Sequence, residues 1–249
     1  MTFPRHKLYN LPVRCFIGTS GWQYSHWKGI FYPEVLKSAD WLSFYAQHLN
    51  TIEINVTFYR DVRASTYKKW YSTVPDGFLF SLKMSRFITH IKRLKIESTS
   101  MARFMENTSV LQDKLGVILI QLSPGLKYDK GLMHDFLEML YKGFKYTIEV
   151  RHNTFINDTF FSLLKEKGIA LCIADTAGRF PYCEEITAQF VYIRLHGAER
   201  LYASNYSDRE LRLWRERILL WGKDTFIYFD NDFMGYAVKN AIALKKMLL

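Results

Sequence analysis

The sequence predicts an α/β fold, a single (β/α)8 barrel that takes in residues 1–249. Eight short apolar or β-branched runs recur along the chain, and helical patterns separate most of them, which is typical of parallel βα units. Eight strands in about 250 residues match a barrel better than a doubly wound sheet, which usually has fewer. The first run also ends in Gly18-Thr19-Ser20-Gly21, which lacks the G-x-G-x-x-G spacing often found after the first strand of a doubly wound sheet.

The composition is that of one ordinary globular domain. Hydrophobic residues make up 49% of the chain, and it contains 13 Gly and 6 Pro, so it can bury a large core and is neither collagenous nor disordered. Low-complexity tracts and Gly/Ser linkers are absent from the sequence, and nothing in the composition marks a domain boundary.

The strand predictions follow the apolar and β-branched runs in chain order. They are residues 14–18, 51–59, 78–84, 116–122, 146–151, 170–175, 190–196 and 225–230.

The helix predictions follow the periodic stretches between those runs. Ser207 and Glu210 form an S-x-x-E capping box, and Leu211, Trp214 and Ile218 then repeat at helical spacing. Only residues 176–189, between the sixth and seventh strands, read as irregular. The predicted helices are residues 38–49, 64–74, 98–111, 130–140, 158–167, 207–221 and 236–248.

Polar side chains inside these strands are the functional signal, because parallel strands are covered on both faces and should be almost wholly apolar. In the second strand Ile52 and Ile54 share one face, which leaves Glu53 and Asn55 pointing into the barrel. The same alternation directs inward Lys83, Glu149, Arg151, Arg194 and His196.

Further polar residues close the strands at their carboxyl ends, where barrel enzymes place their chemistry. They are Gln121, Asp175, Asp230 and, just beyond, Asn231. Acids and bases enclosed together are costly unless they are paired. Two interpretations follow: a substrate site, which we favour, or a paired structural network.

Aromatic residues surround the same end of the barrel. Tyr24 and Trp27 follow the first strand, and Tyr206 follows the seventh. Such rings could stack on a sugar or a base. The alternative is a loop that packs over the barrel mouth as a lid or plug.

The charge is strongly basic, with 34 Lys and Arg against 24 Asp and Glu, for a net charge of +10. The stretch 83–95 contains five basic residues and no acid. It is typical of a solvated basic face, with nucleic-acid or phosphate binding as the alternative.

The three cysteines form no C-x-x-C pair and cannot all pair with one another, which argues against a disulfide framework and favours a reducing compartment. The first 13 residues hold charges but no apolar run of signal-peptide length, and no stretch approaches a membrane span. We therefore expect a cytoplasmic protein without a membrane partner.

The inward residues suggest an enzyme of hydrolase or isomerase type that acts on an anionic small molecule or sugar phosphate. Lys83, Arg151 and Arg194 suit a carboxylate or phosphate group. Glu53 and Glu149 could serve as a general acid and base, with His196 as a proton shuttle and Asp175 as a further catalytic group. The remaining predicted substrate-binding residues are Asn55, Gln121, Tyr24, Trp27, Tyr206, Asp230 and Asn231.

Two other functions stay open. The first is metal-dependent phosphodiester cleavage on nucleic acid, but a multinuclear zinc centre needs several inward histidines and only His196 clearly qualifies. We assign no metal ligand, and the cofactor is undetermined, although one divalent cation held by carboxylates would need only oxygen ligands. The second is nucleic-acid binding without catalysis, which does not explain the buried acids.

Several long strings resemble the YecE-like family, catalogued as domain of unknown function number 72. They are GTSGWQYSHWKGIFYP at 18–33, EINVTFYR at 53–60, FLFSLKMSRFITH at 78–90, LGVILIQLSP at 115–124, EVRH at 149–152, YIRLHG at 192–197 and YFDND at 228–232. The resemblance covers nearly the whole chain and implies a TIM-like barrel without implying a reaction. It also implies a distant fold-level analogy to the endonuclease IV and xylose isomerase group.

Overall fold

Eight parallel strands form a nearly closed barrel at the centre of the computed structural model, which describes residues 13–248. Residues 1–12, on which part of the targeting expectation depends, lie outside the described residues. The strands are β1 (Cys15–Thr19), β2 (Thr51–Ile54), β3 (Leu79–Lys83), β4 (Leu115–Gln121), β5 (Lys145–Glu149), β6 (Ala170–Asp175), β7 (Phe190–Leu195) and β8 (Asp224–Phe229). The predicted (β/α)8 fold class is confirmed.

Helices lie between most of the strands, and residues 176–189 are irregular as predicted. The predicted capping box is present, because the Ser207 side chain accepts from the Glu210 amide and the Glu210 side chain accepts from the Ser207 amide. The helices are α1 (Trp41–His48), α2 (Val56–Tyr59), α3 (Ala64–Thr73), α4 (Ser98–Thr108), α5 (Lys130–Glu138), α6 (Asp158–Lys167), α7 (Asp208–Trp221) and α8 (Tyr236–Leu248). Among the described residues, no helix is long and apolar enough to cross a bilayer.

Two side chains close the seam between β1 and β2. Parallel ladders join the strands from β2 through β8 to β1, whereas side chains bridge the remaining gap. Asn50 accepts from the Ile17 amide at 2.9 Å and donates to the Cys15 carbonyl at 2.9 Å. The Tyr45 hydroxyl accepts from the Thr19 amide at 2.9 Å and donates to the Thr51 carbonyl at 3.0 Å.

The second strand is shorter than predicted. The sequence prediction extends it over residues 51–59, but β2 ends at Ile54 and Asn55 takes up helical backbone angles, with φ −91° and ψ −17°. The Thr57 hydroxyl donates to the Ile54 carbonyl at 3.0 Å and to the Lys83 carbonyl at 2.7 Å. These two bonds fix α2 against the end of β3, so tertiary contacts override the β preference of this run.

The barrel interior changes from apolar to polar along its axis. Val117, Leu119 and Phe226 belong to one buried cluster with Tyr192 and Tyr228. The Tyr228 hydroxyl then lies 2.7 Å from the hydroxyls of both Ser81 and Thr51. Beyond this layer, toward the carboxyl ends of the strands, the buried side chains are charged.

Candidate functional site

A buried arginine organises the polar end of the barrel. Arg194, on β7, is 1% exposed. Its Nη2 donates to Glu53 Oε1 at 2.7 Å, and its Nη1 donates to Glu149 Oε2 at 2.7 Å. Nη2 also lies 3.2 Å from Asp230 Oδ2. The four residues come from β2, β5, β7 and the end of β8, which are not all neighbours in the barrel, so their side chains meet in its interior.

Glu53 is fully enclosed. Besides Arg194, its Oε2 accepts from the Tyr192 hydroxyl at 2.7 Å and its Oε1 accepts from the Ser20 hydroxyl at 2.8 Å. The residue is 0% exposed. Because both carboxylate oxygens already have charged and neutral donors, this acid holds Arg194 in place and has no free lone pair directed at solvent.

Glu149 is held in the same way by two guanidinium groups. It pairs with Arg151 and Arg194 and is 0% exposed. Burial alone would raise the pKa of Glu149, but the charges on Arg151 and Arg194 hold that pKa well below its usual range. The carboxylate is therefore ionised and neutralised by its neighbours.

His196 and Asp230 form a pair beside these acids. His196 Nδ1 lies 3.0 Å from Asp230 Oδ2, and His196 Nε2 lies 3.7 Å from Glu149 Oε1. Burial raises the pKa of Asp230, but the Arg194 charge and the His196 hydrogen bond outweigh it and leave that pKa below its ordinary value. His196 is 0% exposed, whereas the Asp230 side chain is 20% exposed, so Asp230 is the member of the pair that reaches the surface.

A cavity of about 480 Å³ opens beside Asp230 at the carboxyl ends of the strands. Its wall combines cationic, amide and aromatic groups with a single acid. The lining residues are Asn55, Phe58, Tyr59, Lys83, Arg86, His90, Gln121, Arg194, Tyr202 and Asp230. We call this space the central cavity.

Lys83 is the buried cation of the central cavity. It is 8% exposed, its ammonium lies 4.2 Å from the centroid of the Phe58 ring, and it forms no ion pair with any described residue. Burial and the nearby Arg194 charge lower the pKa of Lys83 to about 8, although Glu149, Glu53 and Asp230 act in the opposite direction.

The third βα loop adds two more basic groups. Arg86 precedes a five-residue π-helical turn, Phe87–Ile91, that carries His90. Burial and the charges on Lys83, Arg151 and Arg86 lower the pKa of His90. Lys83, Arg151 and Arg86 thus all act on His90, so this side of the central cavity is cationic.

The structure brings nine of the predicted site residues together in or against this cluster. Gln121, for example, accepts from Arg151 at 3.1 Å and lies 3.4 Å from Arg194. Asn55 lines the cavity, and its Oδ1 is buried with no partner among the described residues. The nine are Glu53, Asn55, Lys83, Gln121, Glu149, Arg151, Arg194, His196 and Asp230.

Two predicted residues point away from the central cavity. Asp175 accepts from the Tyr206 hydroxyl at 2.9 Å and lines a different cavity beside α7, of about 340 Å³. Asn231 donates to Ser204 and Asn240, both at 2.9 Å. Alternation explains both positions, because successive residues of an extended chain face opposite sides. Ala174 points inward and Asp175 therefore outward; Asp230 points inward and Asn231 therefore outward.

The predicted aromatic residues are packed into the structure. Trp27 is 0% exposed and donates its indole N–H to Asp232 at 2.8 Å. The Tyr24 hydroxyl donates to the Ser20 carbonyl at 2.6 Å, and Tyr206 is 2% exposed against Asp175. None of these three rings lines the central cavity, so their arrangement matches the plug alternative better than a stacking surface.

Sequence reasoning missed three residues that shape the site. Strand alternation over the predicted run 51–59 directs Phe58 to the same face as Ile52 and Ile54, but the helical turn α2 places it in the cavity wall together with Tyr59. Ser20, which donates to Glu53, was read only as part of the loop after β1. The signal for Ser20 was available, since it directly follows a strand at its carboxyl end.

The donor set does not fit a metal ion. Among residues 13–248, no group of three or more His, Cys, Asp or Glu side chains is arranged to hold one. The oxygens of Glu53 and Glu149 are directed at guanidinium groups instead. We therefore assign no step to the divalent cation that the sequence left open.

Comparison with known proteins gives a family match over almost the whole chain. The family model described as "Protein of unknown function DUF72" matches residues 16–249. The UPF0759 protein YecE of Escherichia coli K12 is 26% identical over 241 residues, covering 86% of this chain and 84% of that protein. The UPF0759 protein YunF of Bacillus subtilis 168 is 22% identical over 273 residues, covering 94% of both. The crystal structure of a DUF72 family protein from Thermotoga maritima MSB8 superposes with a TM-score of 0.85 at 25% identity, covering 94% of this chain and 99% of that one.

Proposed function

This chain belongs to the DUF72 family, and we propose that it is an enzyme that acts on an anionic small molecule, such as a sugar phosphate, bound in the central cavity. One observation carries the proposal: Lys83 and Arg86 line this cavity beside His90, and the only acid among the lining residues is Asp230. A cationic wall of this kind favours a carboxylate or phosphate group on the ligand.

The positions of the acids inside the barrel support this assignment. Glu53 and Glu149 are both 0% exposed and lie behind the cavity, where Arg194 and Arg151 neutralise them. Their charge is thereby offset by the two guanidinium groups. Lys83 has no such partner among the described residues, so its charge is available to a ligand.

The size and remaining lining of the central cavity suit a small molecule. Its volume of about 480 Å³ lies within the range of roughly 300–1,000 Å³ common for small-molecule sites. Asn55 and Gln121 offer amide groups for hydroxyls, and Phe58 and Tyr202 offer apolar surface to a carbon skeleton.

For the chemical step, the geometry favours Asp230 and His196 over the two glutamates. Asp230 is the one acid among the residues that line the cavity, and it is ionised, so it is the carboxylate placed to accept a proton from a bound molecule. His196, 3.0 Å away, can pass that proton on. Glu53 and Glu149, predicted from the sequence as the acid and base pair, then act as positioning residues that hold Arg194.

The proposal is tested by anion binding and turnover. Isothermal titration with sulfate and with ribose 5-phosphate, at fixed ionic strength, should show one site on the wild-type protein. Lys83→Met should weaken binding at least tenfold, because the buried cation is lost. Arg209→Met, at an exposed position on α7, should leave the affinity unchanged. Wild-type protein that binds neither anion would overturn the proposal.

Turnover is followed by mass spectrometry of a mixture of phosphorylated sugars and carboxylic acids. Asp230→Asn should bind anions normally yet lose conversion of any compound that the wild type consumes. Conversion that persists in Asp230→Asn would remove this residue from the chemical step.

A nucleic-acid function has one observation in its favour. Tyr59 and Phe87 are 67% and 43% exposed beside the mouth of the cavity, and Arg60 and Arg103 line the adjoining surface cleft. If this surface binds single strands, oligonucleotide affinity must fall steeply with salt, since each neutralised phosphate releases counterions. Affinity that stays constant between low and high salt would exclude this function.

A further inference from the structure

The described part of the barrel contains two deeply buried lysines with opposite surroundings. Lys114 is 4% exposed, and its ammonium donates to the carbonyls of Tyr71 at 2.9 Å and Val74 at 2.7 Å. Asp76 lies 3.8 Å away. These partners surround its nitrogen, so Lys114 is a structural residue that ties α3 to the start of β4.

Lys83 has none of these features. It is 8% exposed, and its nitrogen donates to no carbonyl or carboxylate of the described residues. The nitrogen faces the Phe58 ring and the central cavity. It lies at the last position of β3, where barrel enzymes carry reacting groups. An amine that is buried, unpaired and open only to a ligand cavity can act as a nucleophile.

We propose that Lys83 forms an imine with the carbonyl carbon of an anionic aldehyde or ketone bound in the central cavity. This inference rests on the proposed function and names its substrate class: a small carbonyl compound that also carries a phosphate or carboxylate. Arg86 and His90 lie on the same wall and are placed to bind that anionic group.

The step balances without any other reactant. The neutral Lys83 amine attacks the carbonyl carbon, forming a C–N bond and a carbinolamine. Loss of the former carbonyl oxygen as water then breaks the C–O bond and leaves the C=N bond. The two hydrogens of that water are those of the amine, and protonation of the imine gives an iminium ion that draws electrons from the adjacent carbon.

Burial and the Arg194 charge favour a neutral amine at Lys83 and outweigh the carboxylates of Glu149, Glu53 and Asp230, which favour the ammonium. Burial and Arg194 lower the pKa of Lys83 to about 8, so roughly one molecule in ten carries the free amine at pH 7, against about one in three thousand for an ordinary lysine. The other titratable groups that face it are Glu53, Glu149, Asp230, Arg86 and His90.

Asp230 and His196 are placed to transfer protons in this step. Asp230 lines the same cavity, is ionised, and lies 3.0 Å from His196. It can take the proton that the attacking nitrogen releases and return it to the departing hydroxyl. Asp230 has the same role here as in the proposed function, applied to a carbonyl carbon.

Borohydride trapping tests the inference. The wild-type protein is incubated separately with glyoxylate and with pyridoxal 5′-phosphate, reduced with sodium borohydride, and mapped by peptide mass spectrometry. We expect Lys83 to be alkylated at least tenfold faster than the median exposed lysine, and Lys114 to remain unmodified. Excess sulfate should protect Lys83 without protecting the exposed lysines.

Lys83→Arg is the matched variant, because it keeps the charge and removes the nucleophile. It should lose the fast trapping at position 83, while the exposed lysines are trapped at the wild-type rate. If the wild type binds sulfate but Lys83 is trapped no faster than exposed lysines, the imine inference is wrong and the proposed function stands. If the wild type binds neither sulfate nor ribose 5-phosphate, the proposed function itself fails.

Discussion

Arg194 reaches across the barrel interior and binds both carboxylate oxygens of Glu53, with Nη2 donating to Oε1 at 2.7 Å and Nε donating to Oε2 at 3.0 Å. This is the bidentate geometry in which a guanidinium matches a carboxylate best. Because Glu53 is on β2 and Arg194 is on β7, the pair connects strands that share no ladder. The candidate site and the stability of the barrel therefore depend on the same two side chains.

Replacement of Arg194 by methionine should cost about 3–5 kcal/mol of unfolding free energy, because it leaves buried carboxylates without their counterion. Urea denaturation followed by circular dichroism measures this loss. Arg209→Met, at an exposed position on α7, should change stability by no more than about 0.5 kcal/mol.

The double variant Glu53→Gln with Arg194→Met separates the charge effect from packing. Since the double variant also removes the charge of Glu53, one of the three carboxylates that lose their counterion with Arg194, it should be more stable than Arg194→Met alone. A double variant as unstable as the sum of the two single ones would show that the pair is not energetically coupled.

The seam between β1 and β2 leads to a second prediction. A methyl group at Gly18 would come within 2.0 Å of the Thr51 carbonyl oxygen and 2.9 Å of the Tyr45 hydroxyl. Because the nearest obstacle is backbone, Gly18→Ala must push the two strands apart, at a cost of about 3 kcal/mol or more.

Thermal unfolding of Gly18→Ala should therefore show a clearly lowered midpoint. The matched control is Gly131→Ala in α5, where the added methyl meets only the Asp129 side chain at 3.5 Å. That change should be neutral or slightly stabilising, since alanine is the better helix former. Equal effects at the two glycines would contradict the close approach at the seam.

Tyr206 and Asp175 form a hydrogen-bonded pair outside the central cavity. The Tyr206 hydroxyl donates to Asp175 at 2.9 Å and accepts from the Gly197 amide at 3.0 Å. Tyr206→Phe leaves both partners unsatisfied and should cost about 1–3 kcal/mol. Tyr141→Phe, at a ring that is 44% exposed, is the control for loss of a hydroxyl.

Sulfate affinity should stay within twofold of wild type in Tyr206→Phe, because Asp175 and Tyr206 do not line the central cavity. A large loss of affinity would return Asp175 to the functional site, where the sequence placed it.

The strands and the inward charges could be predicted because both depend on local patterns. Apolar runs mark strands, and alternation within a run decides which side chains face inward. Glu53, Glu149 and Arg194 meet inside the barrel for that reason. The same rule places Asp175 on the outward face, because Ala174 before it points inward. The position of Asp175 at the end of a strand is therefore not sufficient to predict a site residue.

Other features depend on contacts that no local pattern encodes. The run Val-Thr-Phe-Tyr at 56–59 has strand preference, yet it forms α2 because Thr57 binds the end of β3. Which acid pairs with which base could not be predicted from the sequence either. Composition shows acids and bases together, but only the three-dimensional arrangement shows that Arg194 and Arg151 take up Glu53 and Glu149 while Lys83 remains unpaired among the described residues.

The pH dependence of anion binding follows from that unpaired lysine. Burial and Arg194 lower the pKa of Lys83 from 10.5 to about 8, so in the free protein the ammonium loses its charge as the pH rises through 8. A bound anion favours the charged form. Affinity should therefore be highest below pH 8 and fall by up to tenfold for each pH unit above it, until the charge is lost.

Sulfate is the suitable probe because its own charge is constant over this range, and thermal shift or calorimetry at fixed ionic strength measures its affinity from pH 6 to 9.5. His90, whose pKa is lowered by burial and by neighbouring cations, can add affinity only at the acidic end. Lys83→Gln should bind weakly and without the decline above pH 8, since arginines keep their charge there. A decline that persists in Lys83→Gln would assign the titration to another group and remove Lys83 from the anion site.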